Sequence, residues 1–152
     1  MSLEDIDRAI YTATSAFPDA RITGGVSDED IAALENIVGT IPTSYRYFLS
    51  RYGTIGFQGI EIYGLVNGHL FGEGPPNTFC LTKLDIDRGY IPNHHVIVSS
   101  TGYGPVFLLN CRDGRVFGWN YSGFKDDELP CFATFGAFIA HEIDTIVSEI
   151  RS

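Results

Sequence analysis

The 152-residue chain is predicted to fold as a single α+β domain over residues 1–152. An antiparallel meander sheet packs against N-terminal helices and a long C-terminal helix. Three observations predict it: apolar residues at helical spacing up to Tyr52, short β-rich runs broken by glycine and proline after Gly53, and a long amphipathic stripe that closes the chain.

The first helix is read from Leu3, Ile6, Ile10, Ala13 and Phe17, with Pro18 as its stop. The second begins at Ser27, a capping hydroxyl followed by Asp28, Glu29 and Asp30, which suit the unpaired amides and the dipole of a helix N-terminus. Ile31, Leu34 and Val38 form its buried stripe and Gly39 its stop. The third runs through "IPTSYRYFLSRYG" at 41–53. Ile41, Tyr45, Phe48, Leu49 and Tyr52 share one face, Pro42 falls in the first turn, and Gly53 supplies the left-handed stop. Arg46 and Arg51 lie off that face, where pairing with the protein's own acids is expected.

In "FQGIEIYGLV" (57–66), Ile60 and Ile62 alternate with Glu61 and Tyr63, a half-buried strand. "NGHLFGEGPPNTF" (67–79) reads as a loop, and "KLDIDRGYIPN" (83–93) is ambiguous. "HVIVSS", "VFLLN" and "RVFGWN" read as three consecutive strands, the last two joined by the Asp-Gly turn of "CRDGR". After the loop "YSGFKDDELP", Thr134 caps a helix with Phe135, Phe138, Ile139, Ile143, Ile146, Val147 and Ile150 on one stripe, expected to lie across the sheet.

Ten Lys and Arg against 19 Asp and Glu leave a net charge of −9. Binding to nucleic acid rests on cationic patches that release phosphate counterions, so nucleic acid is not expected as a partner; the acidity reads either as solubility or as attraction to a basic protein surface. Three scattered cysteines without a C-x-x-C pair argue for free thiols in a reducing cytoplasm. The acidic start "MSLEDIDRAI" does not read as a secretory signal, and no window is apolar enough to span a membrane. A cytoplasmic monomer or weak homodimer is expected.

Candidate chemistry is sparse. Adjacent His94 and His95 point to opposite faces of a strand start and cannot readily share a metal. The glycines of "GTIGFQG" follow a helix and enter a strand, the reverse of a phosphate loop, so they read as a helix stop and a turn. Asp85 and Asp87 lack the rest of a calcium loop and read as solvated loop acids. No nucleophile, base and oxyanion donor can be assigned together, so no catalytic residue, cofactor or metal is expected. In "KDDELP", Asp126, Asp127 and Glu128 lie close in sequence to Trp119, Tyr121 and Phe124. The pattern reads either as an exposed acidic loop beside core aromatics or as an acidic patch with aromatic anchors. Trp119, Tyr121, Asp126, Asp127 and Glu128 are the candidate partner-binding residues.

"IPTSYRYFLSRYGTIGFQGIEIYGL" (41–65) resembles the signature of the SUKH superfamily, carried here by Ile41, Pro42, Tyr45, Phe48, Leu49, Gly53 and Gly64. The acidic start of the preceding helix, the meander and "FATFGAFIAHEI" agree in order, so the resemblance covers most of the chain. Pro105 stands where the family often has an acidic residue, and Thr134 precedes Phe135 where Ser is common. The resemblance implies a non-enzymatic binding protein. Many bacterial members look like immunity proteins that neutralise a cognate toxin, often a nuclease. Fungal members imply the alternative, an intracellular regulator or scaffold of cell-wall assembly.

Overall fold

The computed structural model describes residues 3–151. Helix α1 (Leu3–Ala16) buries Ile6, Ala9, Ile10 and Ala13, and Phe17 just beyond it stacks on Phe57 with centroids 5.6 Å apart. Helix α2 (Asp28–Val38) starts where expected, with the Asp30 N–H donating to Ser27 Oγ at 3.2 Å, and it ends at Gly39 with φ +88°. Helix α3 (Thr43–Arg51) begins one residue later than its sequence suggests. Pro42 is the N-cap itself, with ψ 149° placing it outside the first turn. Tyr45, Phe48 and Leu49 are fully buried.

The single strand expected from Phe57 is instead a hairpin. Strands β2 (Ile55–Phe57) and β3 (Ile60–Ile62) are joined at Gln58 and Gly59, both with positive φ (50° and 78°), the backbone of a tight hairpin turn. Strand β1 (Arg21–Ile22) completes a three-stranded antiparallel sheet in the order β1-β2-β3. Helix α4 (Phe79–Asp87) occupies the ambiguous stretch. The meander forms as β4 (His95–Ser100), β5 (Val106–Asn110) and β6 (Val116–Asn120), and a fourth strand, β7 (Phe124–Lys125), lies within what reads as a loop. Helix α5 (Phe135–Arg151) is capped by Thr134, whose Oγ1 accepts from the Ala137 N–H at 3.1 Å. It packs most extensively along α1, while Phe138 reaches Phe107 of β5 with centroids 5.0 Å apart. The stripe outruns the core by a turn, since Ile150 is exposed.

The meander is covered on both faces. Alternation sends Val96, Val98, Phe107, Leu109 and Val116 into the main core with the helices. Ile97, Val106 and Leu108 enter a smaller core with Tyr63 and Ile91, against which Leu81 of α4 and Trp119 pack. The outer edge of β4, an invitation to unwanted pairing, is closed. Tyr63 N–H donates to the Val98 carbonyl at 2.7 Å, the Thr78 hydroxyl to the Ile97 carbonyl at 2.5 Å, and Ile97 N–H to the Thr82 hydroxyl at 3.2 Å, around the register shift between Ile97 and Ser99.

Where α3 ends, three backbone segments touch. Gly24 N–H donates to the Tyr52 carbonyl at 2.9 Å, and a Cβ at Gly53 would come within 2.2 Å of the Gly24 carbonyl oxygen. A Cβ at Gly64 would stand 1.8 Å from the Gly53 carbonyl oxygen. The Tyr45 hydroxyl donates to the adjacent Tyr63 carbonyl at 2.9 Å, and burial pushes its pKa well above the ordinary tyrosine value.

The α3 arginines pair with the protein's own acids. Partial burial opposes ionisation of Asp7, but hydroxyls from Tyr47 (2.6 Å) and Tyr52 and the charge of Arg51 hold its pKa below the usual carboxylate value. Glu35 is likewise held down against burial by the Ile41 N–H at 2.9 Å and by Arg46.

Gly64→Ala is expected to destabilise the fold by about 3 kcal/mol or to prevent folding, whereas Gly68→Ala, at positive φ in open space, should cost only about 1 kcal/mol in denaturant unfolding. Asp7 and Glu35 have depressed pKa values in the fold, so their contribution is present above their unfolded values and is lost as pH falls through the folded ones. The urea midpoint should therefore drop below about pH 4.5, and an Asp7→Asn, Glu35→Gln variant should start lower at neutral pH and lose less on acidification.

Candidate functional site

The second face of the meander carries a notch with aromatic walls. Residues after α4 return past the end of β6, where the Trp119 indole N–H donates to the Tyr90 carbonyl at 2.9 Å. The Tyr121 hydroxyl donates to Asp85 Oδ2 at 2.9 Å, and the Tyr90 and Tyr121 rings meet edge to face, centroids 6.4 Å apart at 78°. Leu81, Asp85, Tyr90 and Tyr121 line a notch of about 360 Å³. Asp85 is only 7% exposed, while Tyr90 and Tyr121 are 48% and 40% exposed. Burial and the Asp85 carboxylate both push the Tyr121 hydroxyl far above its ordinary pKa, so it stays a donor across the physiological range.

Of the predicted binding residues, Trp119 and Tyr121 are brought together here. The three acids form a separate group past the end of β7. Asp126 N–H donates to the Gly118 carbonyl at 2.9 Å and its Oδ1 accepts from Glu128 N–H at 3.0 Å, closing a tight turn that leaves Asp127 and Glu128 exposed. Leu129 pins the turn by lying over Gly118, where a Cβ would fall 2.4 Å from Leu129 Cδ1. Among the described residues, none of the three acids bonds to Trp119 or Tyr121. Phe124, 54% exposed, stands on β7 between the two groups, across from Asn120.

Asp85 and Asp87 are not solvated loop acids. Both lie in α4; Asp85 is buried and exposed Asp87 pairs with Lys83 at 2.8 Å. Leu81, Asp85 and Tyr90 escape a reading of the sequence because the inner face of α4 is part polar, burying Thr82 and Asp85 beside Phe79. Hydrophobic periodicity does not register such a face. The helical spacing of Phe79, Thr82 and Asp85 after Thr78 is the signal that was present.

His94, His95 and Cys111 are engaged in packing. His94 takes up a positive φ of 65° and sets Nδ1 3.0 Å from the Val38 carbonyl at the end of α2, while His95 lies edge to face on Phe117. Burial pushes the Cys111 thiol up to about 12, far from the range of a nucleophile. Among the described residues no three His, Cys, Asp or Glu are grouped to hold a metal ion. A larger cleft of about 530 Å³ runs beside β1, between Ala20–Thr23, Thr54, Gly56, Glu61 and Pro76. Its polar lining offers a Thr23–Thr54 hydroxyl pair at 2.9 Å. No helix among the described residues is long and apolar enough to cross a membrane.

The fold is an α+β domain in which the 41–65 stretch serves close backbone packing. The chain belongs to the family SUKH_5, described as "SMI1-KNR4 cell-wall", whose pattern matches residues 6–143. Comparison with curated proteins yields no match.

Thiol labelling checks the burial pattern. Exposed Cys131 should react first with an aromatic disulfide reagent at pH 8, and Cys111 should react at least about tenfold more slowly, as read by mass spectrometry of the native protein.

Proposed function

We propose that this domain is a non-enzymatic protein-binding module of the immunity type, which neutralises a cognate toxin by direct binding. A nuclease toxin fits best, because a cleft that handles nucleic acid is basic and an acidic inhibitor can stand in for the substrate's charge. The observation that carries the reading is the exposed aromatic face of Tyr90, Tyr121 and Phe124 beside the acidic turn Asp126–Glu128, on a chain of net charge −9. Such a combination suits a docking surface with aromatic anchors and a charged rim. Membership of the SUKH class supports it, since that class includes immunity proteins. The family description, with its reference to the cell wall, favours a second reading, an intracellular regulatory or scaffold protein.

Co-expression with a toxic domain, where one is encoded beside this gene, tests the first reading. Growth rescue together with a stable complex on a sizing column is the expected result. Changing Asp126, Asp127 and Glu128 to Lys should weaken the complex about tenfold or more at low salt and flatten its salt dependence. No rescue and no complex with an active toxin would place the regulatory reading ahead.

A further inference from the structure

Resting on the protein-binding reading above, we propose that the notch between α4 and the end of β6 receives an arginine side chain of the partner protein. Its floor is a buried carboxylate. Among the described residues Asp85 takes a single side-chain hydrogen bond, from Tyr121 to Oδ2, and forms no ion pair. Among the described residues no buried side-chain oxygen lacks a partner, so Oδ1, which takes no protein donor, is reached through the opening of the notch, where a cation or a further donor would be favoured. The opening of the notch is the direction from which a donor can arrive.

The walls select the kind of cation. Tyr90 and Tyr121 are half exposed and Leu81 adds an apolar side, a lining that suits a weakly hydrated planar group. A guanidinium stacks on an aromatic face while its edge donates to a carboxylate; an ammonium is more strongly hydrated and presents no plane to stack. The site is built in advance. Trp119 holds the Tyr90 backbone, and the Tyr121 hydroxyl orients Asp85, so little ordering is left for the moment of binding. An anionic ligand is disfavoured by Asp85 and by the net charge of −9. The acidic turn beyond β7 would contribute long-range attraction, and the notch would contribute register.

The test uses the full chain labelled with nitrogen-15 and titrated with N-acetyl-arginine methylamide, with the uncharged citrulline analogue as control. The Trp119 indole N–H, bonded to the Tyr90 carbonyl, is the reporter. It is expected to shift with the arginine compound and not with citrulline, and Asp85→Asn should weaken the response at least fivefold. Tyr90→Ala removes a side chain that is half exposed and so guards against a folding defect at Asp85; it should weaken the response similarly with an unchanged melting temperature. Equal shifts from both compounds, shifts only elsewhere, or an unaltered response in both variants would overturn the proposal. The second arm measures complex formation with a toxic domain where one is encoded beside this gene. If the wild-type chain binds and both variants bind equally well, the notch fails while the immunity reading stands. If the wild-type chain forms no complex, the immunity reading fails, and the titration alone decides the notch.

Discussion

The structure depends on a place where backbone meets backbone with no room for a side chain. The end of α3 lies against the Gly24–Gly25 segment on one side and against Gly64 on the other, and the carbonyl oxygens of Ser50, Gly24 and Gly53 occupy the positions that a Cβ would need at Gly25, Gly53 and Gly64, respectively. The helix can therefore drop Tyr45, Phe48 and Leu49 into the core while its last turn hands the chain directly to β2. Tyr45 spans the junction, its ring against Phe135 of α5 and its hydroxyl on the Tyr63 carbonyl. Signature residues of the family thus explain a joint between layers. They specify a scaffold and leave the surface free to diverge.

That joint also decides what the meander can present. Because Tyr63 pairs with β4, and Thr78 at the cap of α4 and Thr82 within it complete the same edge, the second face of the sheet is roofed rather than bare. The roof ends at Tyr90 and Asp85, and the sheet beneath it ends at Trp119 and Tyr121. A notch forms where both give out. The acidic turn projects from the far strand, fixed by its own hydrogen bonds and by Leu129. Charge and aromatic surface are thereby adjacent but independently supported, an arrangement in which each can change without unfolding the other.

The buried polar groups follow the same logic of satisfaction. Asp7 and Glu35 tie α1 and α2 to α3 by accepting from tyrosines, an amide and Arg46, with Arg51 as an ion-pair partner of Asp7, and the hydroxyls of Thr78 and Thr82 satisfy Ile97 on the outer edge of β4. Asp85 differs from these groups, since its one side-chain donor comes from a residue that itself stands half in solvent. Family membership sets the frame of a SUKH-type domain, and this asymmetry is the observation on which the proposed arginine site rests.

Elements whose local signals agree could be read from the residues alone. α1, α2, α3 and α5 follow from apolar stripes with Ser27, Gly39, Gly53 and Thr134 as their punctuation, and β4, β5 and β6 from apolar runs parted by turns. The boundary at Pro42 moved by one residue because a proline at the cap and a proline in the first turn look alike in sequence. Long-range packing set the β2–β3 hairpin, where Gln58 adopts a positive φ that its side chain does not advertise, and α4, whose inner face is part polar because hydroxyls at its cap and first turn serve β4. Of the candidate site, Trp119, Tyr121 and the three acids were legible as types and as sequence neighbours. That the aromatics join Tyr90 and Asp85 rather than the acids depended on how α4 folds back over the sheet, a long-range packing outcome that no local pattern encodes.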